Sequence, residues 1–226
     1  MKRPRLGRKT GPKPQFSVSD IAECALKIGL DRFTIGQVAK ELGVVPSAIY
    51  RHVENRDEIV MRGFARSARL LQAPSEGLTW QEILRHETNE MWEMFERYPG
   101  LANAVSQTPG AHVHLQQYFA DMTQTLLAAN FPGDRGRALF AIDFVGDIVL
   151  SSRIFIENVR AENEDGLRGI DQARKLFSDR SYIPEGIEPI YPPDDSWLGR
   201  DSIDNKVEFV IAALGVLPPH PLHTRQ

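Results

Sequence analysis

The sequence of 226 residues predicts an all-α protein. Four times along the chain a Ser, Thr or Asn is followed three residues later by Asp, Glu or Gln, directly before an apolar stretch. The four pairs are Ser17 with Asp20, Thr34 with Gln37, Asn55 with Glu58, and Thr79 with Glu82. This pattern is typical of capping boxes at helix N-termini. The sequence has no hairpin dipeptide between alternating apolar and polar runs, so it gives no convincing signal for strands.

Apolar residues recur at helical spacing after these start signals. The predicted helices span residues 18–28, 34–42, 46–52, 55–72, 79–97, 101–106, 112–130, 134–162, 167–179 and 201–216. The Pro- and Gly-containing stretch 74–77 indicates a domain boundary. We therefore expect a basic arm over residues 1–16, a small helical domain over 17–73 and a larger helical domain over 74–226.

The charge of the chain changes sign at the same boundary. Residues 1–73 carry seven more basic than acidic side chains, and the remainder carries ten more acidic than basic ones. This asymmetry favours a polyanion as the partner of the N-terminal part, the alternative being a chance imbalance of surface charge. No apolar run reaches the roughly 18–20 residues of a membrane helix, and none follows the basic N-terminus as in a signal peptide. With a lone cysteine, Cys24, the sequence indicates a cytoplasmic protein without a membrane partner.

The stretch "FTIGQVAKELGVVPSAIYRHVENRDEIV", residues 33–60, contains two short helical patterns separated by "GVV". Gly43 suits a left-handed helix end, and Pro46 suits the first turn of the second helix. In that helix Ile49 and Val53 face inward at i, i+4 spacing. The residues left on or near its outer surface are Ser47, Ala48, Tyr50, Arg51 and His52.

A short helix, a tight turn and a second short helix with a polar outer face predict a helix-turn-helix, whose second helix enters the major groove of double-stranded DNA. The alternative is a helical hairpin with a solvated face. Small residues at the start of the second helix allow close approach to base edges, and Arg51 can offer paired donors to guanine. Tyr50 and His52 are better suited to phosphates, as is the helix N-terminus at Thr34.

Residues 17–70 resemble the DNA-binding domain of the TetR family of bacterial transcriptional regulators, through "GLDRFTIGQVAKELGV" and "SAIYRHVENRDEIV". The resemblance implies a ligand-responsive regulator, most often a repressor. The phosphate contacts that it implies come from Thr34, Tyr50, His52 and Arg56. The base-facing residues that it implies are Pro46, Ser47, Ala48 and Arg51. The sequence departs from the family at Val45, where family members often have a polar cap.

The first 14 residues, "MKRPRLGRKTGPKP", carry six basic and no acidic side chains, which predicts a mobile cationic arm. Arg3, Arg5, Arg8 and Lys9 are suited to the minor groove next to the helix-turn-helix. The alternative is a tail that attracts DNA only through its charge. In either case the arm steepens the salt dependence of DNA binding.

Residues 133–160 form the most hydrophobic segment, and apolar side chains surround nearly the whole predicted helix. Similarity to the family implies that this helix and "DNKVEFVIAALGVL" form a four-helix interface with their symmetry mates. Such a homodimer requires a roughly palindromic operator. A monomer that buries the same helix internally is the alternative.

Candidate residues for a small-molecule effector lie in the larger domain. Asp143 and Asp147 are spaced i, i+4 on the apolar helix, and a buried carboxylate needs a partner, water or a ligand. One interpretation places them in a pocket for a cationic or hydrogen-bonding molecule. The other pairs them with Arg153 or Arg137, or exposes them at the edge of the dimer. The remaining candidates, which are equally typical of a plain core, are Trp92, Phe95, Phe119, Met122 and Phe144.

Metal and catalytic sites are not predicted. His112 and His114 alternate, so a helix points them apart, and the sequence has no Cys cluster near them. No phosphate-binding Gly-rich loop or nucleophile elbow occurs, so we expect neither a cofactor nor enzyme activity. The competing hypothesis is a helical small-molecule-binding protein or enzyme that retains this fold without binding an operator.

Overall fold

The computed structural model describes residues 16–216, which form a helical protein. The α-helices are α1 (Val18–Ile28), α2 (Ile35–Glu41), α3 (Pro46–Ile49), α4 (Arg56–Ala68), α5 (Trp80–Arg97), α6 (Leu101–Gln107), α7 (Gln116–Ala128), α8 (Arg135–Arg160), α9 (Gly169–Ser178) and α10 (Asp201–Val216). Short 3₁₀ turns occur at Ala111–Leu115, Arg180–Tyr182 and Asp195–Leu198. The predicted all-α fold is confirmed. Between residues 16 and 216, none of the helices has both the length and the apolarity needed to cross a bilayer.

Three of the four capping boxes that the sequence predicts are present at helix N-termini. The complete boxes are those of Ser17, Thr34 and Thr79. At α4, Asn55 Oδ1 accepts a hydrogen bond from the N–H of Glu58 at 2.9 Å. The Glu58 carboxylate, however, accepts from the N–H of Glu54 at 2.7 Å and not from the cap residue. The prediction of a reciprocal box was therefore wrong at α4.

Helices α1 to α4 enclose a small apolar core. α1 packs along α4, and α2 packs on α1 and α3. The side chains buried most completely in this core include Ile21, Leu26, Leu30, Ile49 and Ile59. Each such aliphatic side chain contributes about 1.5–3 kcal/mol when it is fully buried. This core fixes the α2–turn–α3 segment against α1 and α4.

The second part of the core lies between α5, α7, α8 and α10. α5 and α7 pack on α8, and α10 packs on both α5 and α8. Fully or almost fully buried side chains here include Leu84, Phe95, Leu126, Val145 and Ile203. With 26 residues, α8 is the central helix of this part. It still exposes Phe140, Phe144 and Phe155, so a single chain does not cover it on all sides.

Several helices have different ends from those predicted. α3 ends at Ile49 and not at residue 52, because the N–H groups of Arg51 and His52 bond to carbonyls three residues back. α4 ends at Ala68 and not at residue 72, and Leu70 and Leu71 make bonds of the same type. The predicted helix 112–130 begins as a 3₁₀ turn and continues as α7. Tightening into 3₁₀ geometry is common at helix termini.

Polar and close contacts join α1–α4 to the rest of the chain. Arg66 on α4 forms an ion pair with Glu23 on α1, and the Tyr98 hydroxyl donates to the same carboxylate at 3.1 Å. Burial acts to raise the pKa of Glu23, but the hydrogen bonds from Arg66 and Tyr98 outweigh it and hold the pKa below its usual range. Gly100, with a φ of +83°, lies so close to Asp31 that a Cβ would overlap the carboxylate. The two parts are therefore tightly apposed at the C-terminal end of α5.

The packing of α1 on α4 predicts that Gly63→Ala destabilises the protein. A Cβ at Gly63 would lie 2.7 Å from Cδ1 of Leu30, whose side chain is 1% exposed and would have to shift within the packed core. We expect a loss of about 1–3 kcal/mol in the free energy of unfolding, measured by urea denaturation. The matched control is Gly36→Ala in α2, where the nearest contact is 3.9 Å away. Because alanine is the better helix former, that variant should gain up to about 1 kcal/mol, and equal behaviour of the two variants would contradict the packing described.

Candidate nucleic-acid interface and regulatory cavity

The segment from α2 to α3 forms the predicted helix-turn-helix. After α2, Gly43 adopts a φ of +67°, the left-handed conformation that favours glycine. The N–H of Val44 then donates to the carbonyl of Ala39 at 2.9 Å, which closes the end of α2. Pro46 lies in the first turn of α3, and Val45 provides no side-chain hydrogen bond to the helix N-terminus. α3 therefore follows the turn directly and without a polar cap.

The outer face of α3 and of the turn after it is polar. Ile49 and Val53 are 0% and 3% exposed and attach this segment to the core. The predicted interface residues that are exposed here are Pro46, Ser47, Tyr50, Arg51 and His52, and Ala48 is half-buried. The ring of His52 packs against Phe16, with the centroids 4.7 Å apart. Consecutive predicted contact residues therefore lie on one short surface segment.

Thr34 and Arg56, two further predicted phosphate contacts, make bonds within the chain. Thr34 is exposed, and its hydroxyl caps α2. The Arg56 guanidinium donates to the main-chain carbonyls of residues 30, 31 and 33 at 2.9–3.3 Å, and it lies 4.5 Å from the ring centroid of Phe33. Arg56 therefore ties the loop between α1 and α2 to the start of α4, and its contact with a phosphate stays a prediction. The predicted arm residues, Arg3, Arg5, Arg8 and Lys9, lie outside the residues that the structure describes.

A cavity of about 280 Å³ lies between α5, α7 and α8, at the low end of the range for small-molecule sites. Its apolar wall includes Leu71, Met91, Phe95, Leu115, Phe119, Ile142 and Leu150. Phe95 and Phe119 were predicted for a pocket, and the structure places both on this wall. Leu71 comes from the segment after α4, and Leu115 ends the 3₁₀ turn that packs on α4. The cavity therefore borders the segment that follows α4 and the turn that packs on α4.

The cavity wall contains a buried carboxyl group. Glu87 on α5 is 1% exposed, and the hydroxyl of Tyr118 on α7 donates a hydrogen bond to its Oε2. Burial raises the pKa of Glu87 to about 7, with the Tyr118 bond lowering the pKa and Glu90 raising it by smaller amounts. Burial, together with the charge of Glu87, also raises the pKa of the Tyr118 hydroxyl. A group that binds a proton near neutral pH is thus enclosed among apolar side chains.

Asp143 and Asp147 lie on the part of α8 that lines the cavity, and both are exposed to solvent. Burial of its carboxyl group and the nearby charge of Asp143 raise the pKa of Asp147. The alternative pairing with Arg153 is wrong, because that buried guanidinium pairs with Glu96 at 2.6 Å. Arg137, the other alternative partner, donates to a carbonyl near the end of α10 at 3.2 Å. Both aspartates are therefore at the solvent side of the cavity.

The structure places three other predicted pocket residues away from this cavity. The ring of Trp92 packs beside Arg153, whose guanidinium carbon lies 5.3 Å from the centroid of that ring. Met122 is 0% exposed within the core of the bundle. Phe144 lies on the exposed face of α8 and stacks on Phe140, with centroids 5.6 Å apart. Helical spacing identifies residues that share a face, but it does not show which neighbouring helix, cavity or solvent that face meets.

Glu87, Tyr118 and His112 line the cavity but were not among the predicted pocket residues. The sequence does contain a signal for Glu87, which falls at i, i+4 spacing between Ile83 and Met91 on the apolar stripe of α5. A carboxylate on such a stripe indicates a buried acid that needs a partner. The position of Tyr118 carries no comparable signal, because its partner is 31 residues away on another helix.

His112 and His114 lie on different sides of the Ala111–Leu115 turn. His112 lines the cavity, whereas His114 borders a separate groove that also includes Ala68 and Met122. Among residues 16–216, no three His, Cys, Asp or Glu side chains are grouped so that they could hold a metal ion.

One face of α8 and α10 presents apolar side chains to solvent. The exposed residues of this face include Phe140, Phe144 and Phe209, the last with 76% exposure. Together with Ile148 and Val210 they border an open apolar groove. Monomeric soluble proteins rarely expose large contiguous apolar patches. The face belongs to the two helices for which the family resemblance implies a dimer interface.

Comparison of the sequence with known proteins gives one partial relative. No protein-family model matches the chain. The chain is 28% identical over 109 residues to the HTH-type transcriptional repressor DrrR1 of Streptomyces coeruleorubidus. This match covers 44% of the chain and 39% of the relative, so the chain spans about two fifths of the length of the curated relative that it matches.

Comparison of the structure identifies the fold. The TetR family protein ActR of Streptomyces coelicolor, in complex with actinorhodin, is 21% identical with a TM-score of 0.59, over 88% of this chain and 95% of ActR. BioQ, solved with its natural double-stranded DNA operator, is 17% identical with a TM-score of 0.59, over 90% of this chain and 100% of BioQ. The chain therefore has the fold of TetR-family regulators, and the resemblance found in the sequence is confirmed at the level of the fold.

The buried position of Glu87 predicts a specific pH dependence of stability. Burial raises the pKa of Glu87 from its ordinary value of 4.5 to about 7, so the unfolded chain releases this proton at lower pH than the folded chain. Stability contributed by the neutral acid is therefore present below about pH 4.5 and is lost as the pH rises towards and through about 7. Glu87→Gln removes this dependence. The free energy of unfolding of the variant, relative to that of wild type, should therefore rise by about 2–3 kcal/mol between pH 5 and pH 8.

The measurement is urea denaturation of both proteins at several pH values. Glu93→Gln, an exposed position on the same helix, is the control and should follow the wild-type curve. Parallel curves for wild type and Glu87→Gln would show that Glu87 has an ordinary pKa.

Proposed function

We propose that the chain is a DNA-binding transcriptional regulator, a repressor whose operator binding is controlled by a small-molecule effector. The observation that carries this proposal is the polar outer face of α3, held on the core by buried Ile49 and Val53 directly after the Gly43 turn. The fold is shared with BioQ, solved with its operator, and with ActR, solved with a small molecule. The partial relative is a repressor. The protein acts in the cytoplasm on double-stranded DNA and is not an enzyme.

In this proposal α3 enters the major groove. Ser47 and Ala48 are small and lie in the first turn, so the helix backbone can approach the base edges closely. Arg51 is exposed and is suited to bidentate donation to guanine. Tyr50, with 55% exposure, and His52 are placed beside it for phosphate contacts.

The flanking contacts depend on other parts of the chain. Thr34 and the N–H groups at the start of α2 are suited to a phosphate. Arg56 contributes by fixing the loop between α1 and α2, and any phosphate contact it makes uses a guanidinium already bonded to main-chain carbonyls. The basic arm, with Arg3, Arg5, Arg8 and Lys9, adds sequence-independent attraction or a minor-groove contact.

The operator-binding form is a two-fold dimer. The exposed apolar face of α8 and α10 is self-complementary in character, because the same aromatic residues would meet across a two-fold axis. Burial of this face in a four-helix interface removes Phe140, Phe144 and Phe209 from water. Such a dimer presents two copies of α3 to a roughly palindromic operator.

Effector binding controls the orientation of α4. The cavity touches Leu71 just beyond α4, and the 3₁₀ turn Ala111–Leu115 packs on α4 itself. A molecule that favours a different position of this wall favours a different position of α4 and hence of the two α3 helices. The bound population then shifts away from the spacing that the operator requires.

Arg51→Ala should reduce discrimination between DNA sequences. A duplex selected by the wild-type protein from a random library is compared with a scrambled duplex by fluorescence anisotropy at two salt concentrations. Loss of a bidentate base contact should lower the affinity ratio by roughly 5- to 150-fold, corresponding to about 1–3 kcal/mol. Arg69→Ala is the control, because Arg69 follows the C-terminal end of α4, away from α3. This variant should retain the affinity ratio of the wild type. An unchanged affinity ratio for Arg51→Ala would show that Arg51 does not contact a base. If the wild-type protein selects no duplex, the alternative is favoured, a helical small-molecule-binding protein or enzyme that does not bind an operator.

Phe209→Asp should convert the dimer into a monomer. The substitution places a charge in the centre of the proposed interface, where it would be desolvated without a partner. Light scattering coupled to size exclusion measures the mass, and operator affinity should fall in parallel. Leu176→Asp, on the exposed side of α9, is the matched control and should stay dimeric. A wild-type protein that is monomeric at micromolar concentration refutes the interface.

A further inference from the structure

The cavity beneath α8 is lined by acidic side chains, and among residues 16–216 neither Lys nor Arg lines it. Glu87 lines its inner wall, and Asp143 and Asp147 line its solvent side. Of the side chains that line it, His112 is the one that can carry a positive charge, and neither Lys nor Arg is among them. The buried guanidinium of Arg153, further along α8, is bound to Glu96 and Glu157. A negative potential is thus concentrated in an apolar enclosure, where charges are weakly screened.

The hydrogen bonding of Glu87 leaves acceptor capacity for a ligand. A carboxylate accepts several hydrogen bonds, and among the described residues the structure supplies Glu87 with one donor, the Tyr118 hydroxyl. A buried carboxylate with one neutral donor is only partly compensated for the loss of water. A positively charged donor placed beside it supplies both a charge and further hydrogen bonds.

The remaining wall selects for an organic molecule. Phe95, Phe119 and Met91 face a space that is enclosed mainly by carbon and sulfur atoms. Such walls suit an apolar or aromatic body, and aromatic faces also attract cations. A hydrated inorganic cation would leave these walls against water, and an anion would meet the like charges of the three carboxylates.

We infer that the cavity binds an organic cation, a compact apolar or aromatic molecule with one ammonium group that is directed at Glu87. This inference rests on the proposed function, because it identifies the chemical class of the effector of the same site. The ammonium lies between the Glu87 carboxylate and the aromatic wall, and Asp143 and Asp147 attract the ligand at the entrance. Contact of the apolar body with Leu71 connects occupancy to the end of α4.

Three probes of nearly equal size test the charge preference. They are 1-naphthylmethylammonium, 1-naphthylmethanol and 1-naphthylacetate, titrated by calorimetry into the full chain without DNA at about pH 8. The ammonium should bind at least tenfold more tightly than the alcohol, and the acetate should bind more weakly than either. Equal binding of the ammonium and the alcohol, preference for the acetate, or no binding of any probe overturns the inference.

Single substitutions test which residues cause the preference for the ammonium probe over the alcohol probe. Glu87→Gln should reduce the ammonium-to-alcohol ratio at least tenfold while the affinity for the alcohol is retained. Glu93→Gln, on the exposed side of α5, should leave the ratio unchanged. Asp147 is exposed, so Asp147→Asn will not disturb the core. This variant should reduce the ammonium-to-alcohol ratio two- to fivefold, which tests the role of the cavity entrance independently of folding. A ratio unchanged in both Glu87→Gln and Asp147→Asn overturns the assignment of the charge to this cavity.

DNA selection by the same protein separates this inference from the proposed function. A charge preference that depends on Glu87, in a protein that selects no duplex, refutes the regulator and retains the cation site. Selection of a duplex without any preference for the ammonium retains the regulator and refutes the cation site.

Discussion

The position of α3 depends on the small core beneath it. A helix of four residues without a side-chain cap has almost no stability of its own, because helix nucleation is costly and one turn does not repay it. Buried Ile49 and Val53 therefore decide where the outer face points. The core that receives them lies among α1 to α4, and in it Gly63 of α4 closely approaches Leu30, which follows α1. The outward side chains of Ser47, Tyr50 and Arg51 are exposed, and the buried contacts of this segment are those of Ile49 and Val53.

The core between α5, α7, α8 and α10 contains the opposite arrangement, a buried polar group that opposes the fold. Glu87 lies on the apolar stripe of α5, and Tyr118 compensates the burial of its carboxyl group only in part. Replacement of both Glu87 and Tyr118 by apolar residues of similar shape can be nearly neutral or stabilising. The stability of the empty protein therefore gives no reason for an acid at this position. A reason arises in the proposed ligand, whose charge would complete the bonding of the carboxylate.

The sequence was sufficient to predict those features that depend on local chemistry. Capping residues, the turn at Gly43 and the inward spacing of Ile49 and Val53 involve neighbours within a few residues, and the structure agrees with them. Features that depend on distant contacts were predicted less well. The sequence predicts Arg56 as a surface cation. In the structure its guanidinium donates to main-chain carbonyls 23 to 26 residues earlier in the chain. The pocket was assigned to the correct helix faces for Phe95 and Phe119, but Phe144 lies on the other face of α8, because periodicity alone does not distinguish the cavity side from the exposed side.

The connection between the cavity and the helix-turn-helix follows from the attachments of α4. Its first residue, Arg56, holds the loop that leads into α2, and Arg66 near its end is paired with Glu23 on α1. A helix of 13 residues is about 20 Å long and transmits displacement as a rigid body over that distance. Leu71 on the cavity wall comes three residues after the end of this helix, so a ligand that displaces it acts on a body attached to α1 and α2 at both ends. In the proposed mechanism, a shift at the cavity therefore moves α4 together with α1 and the loop that leads into α2.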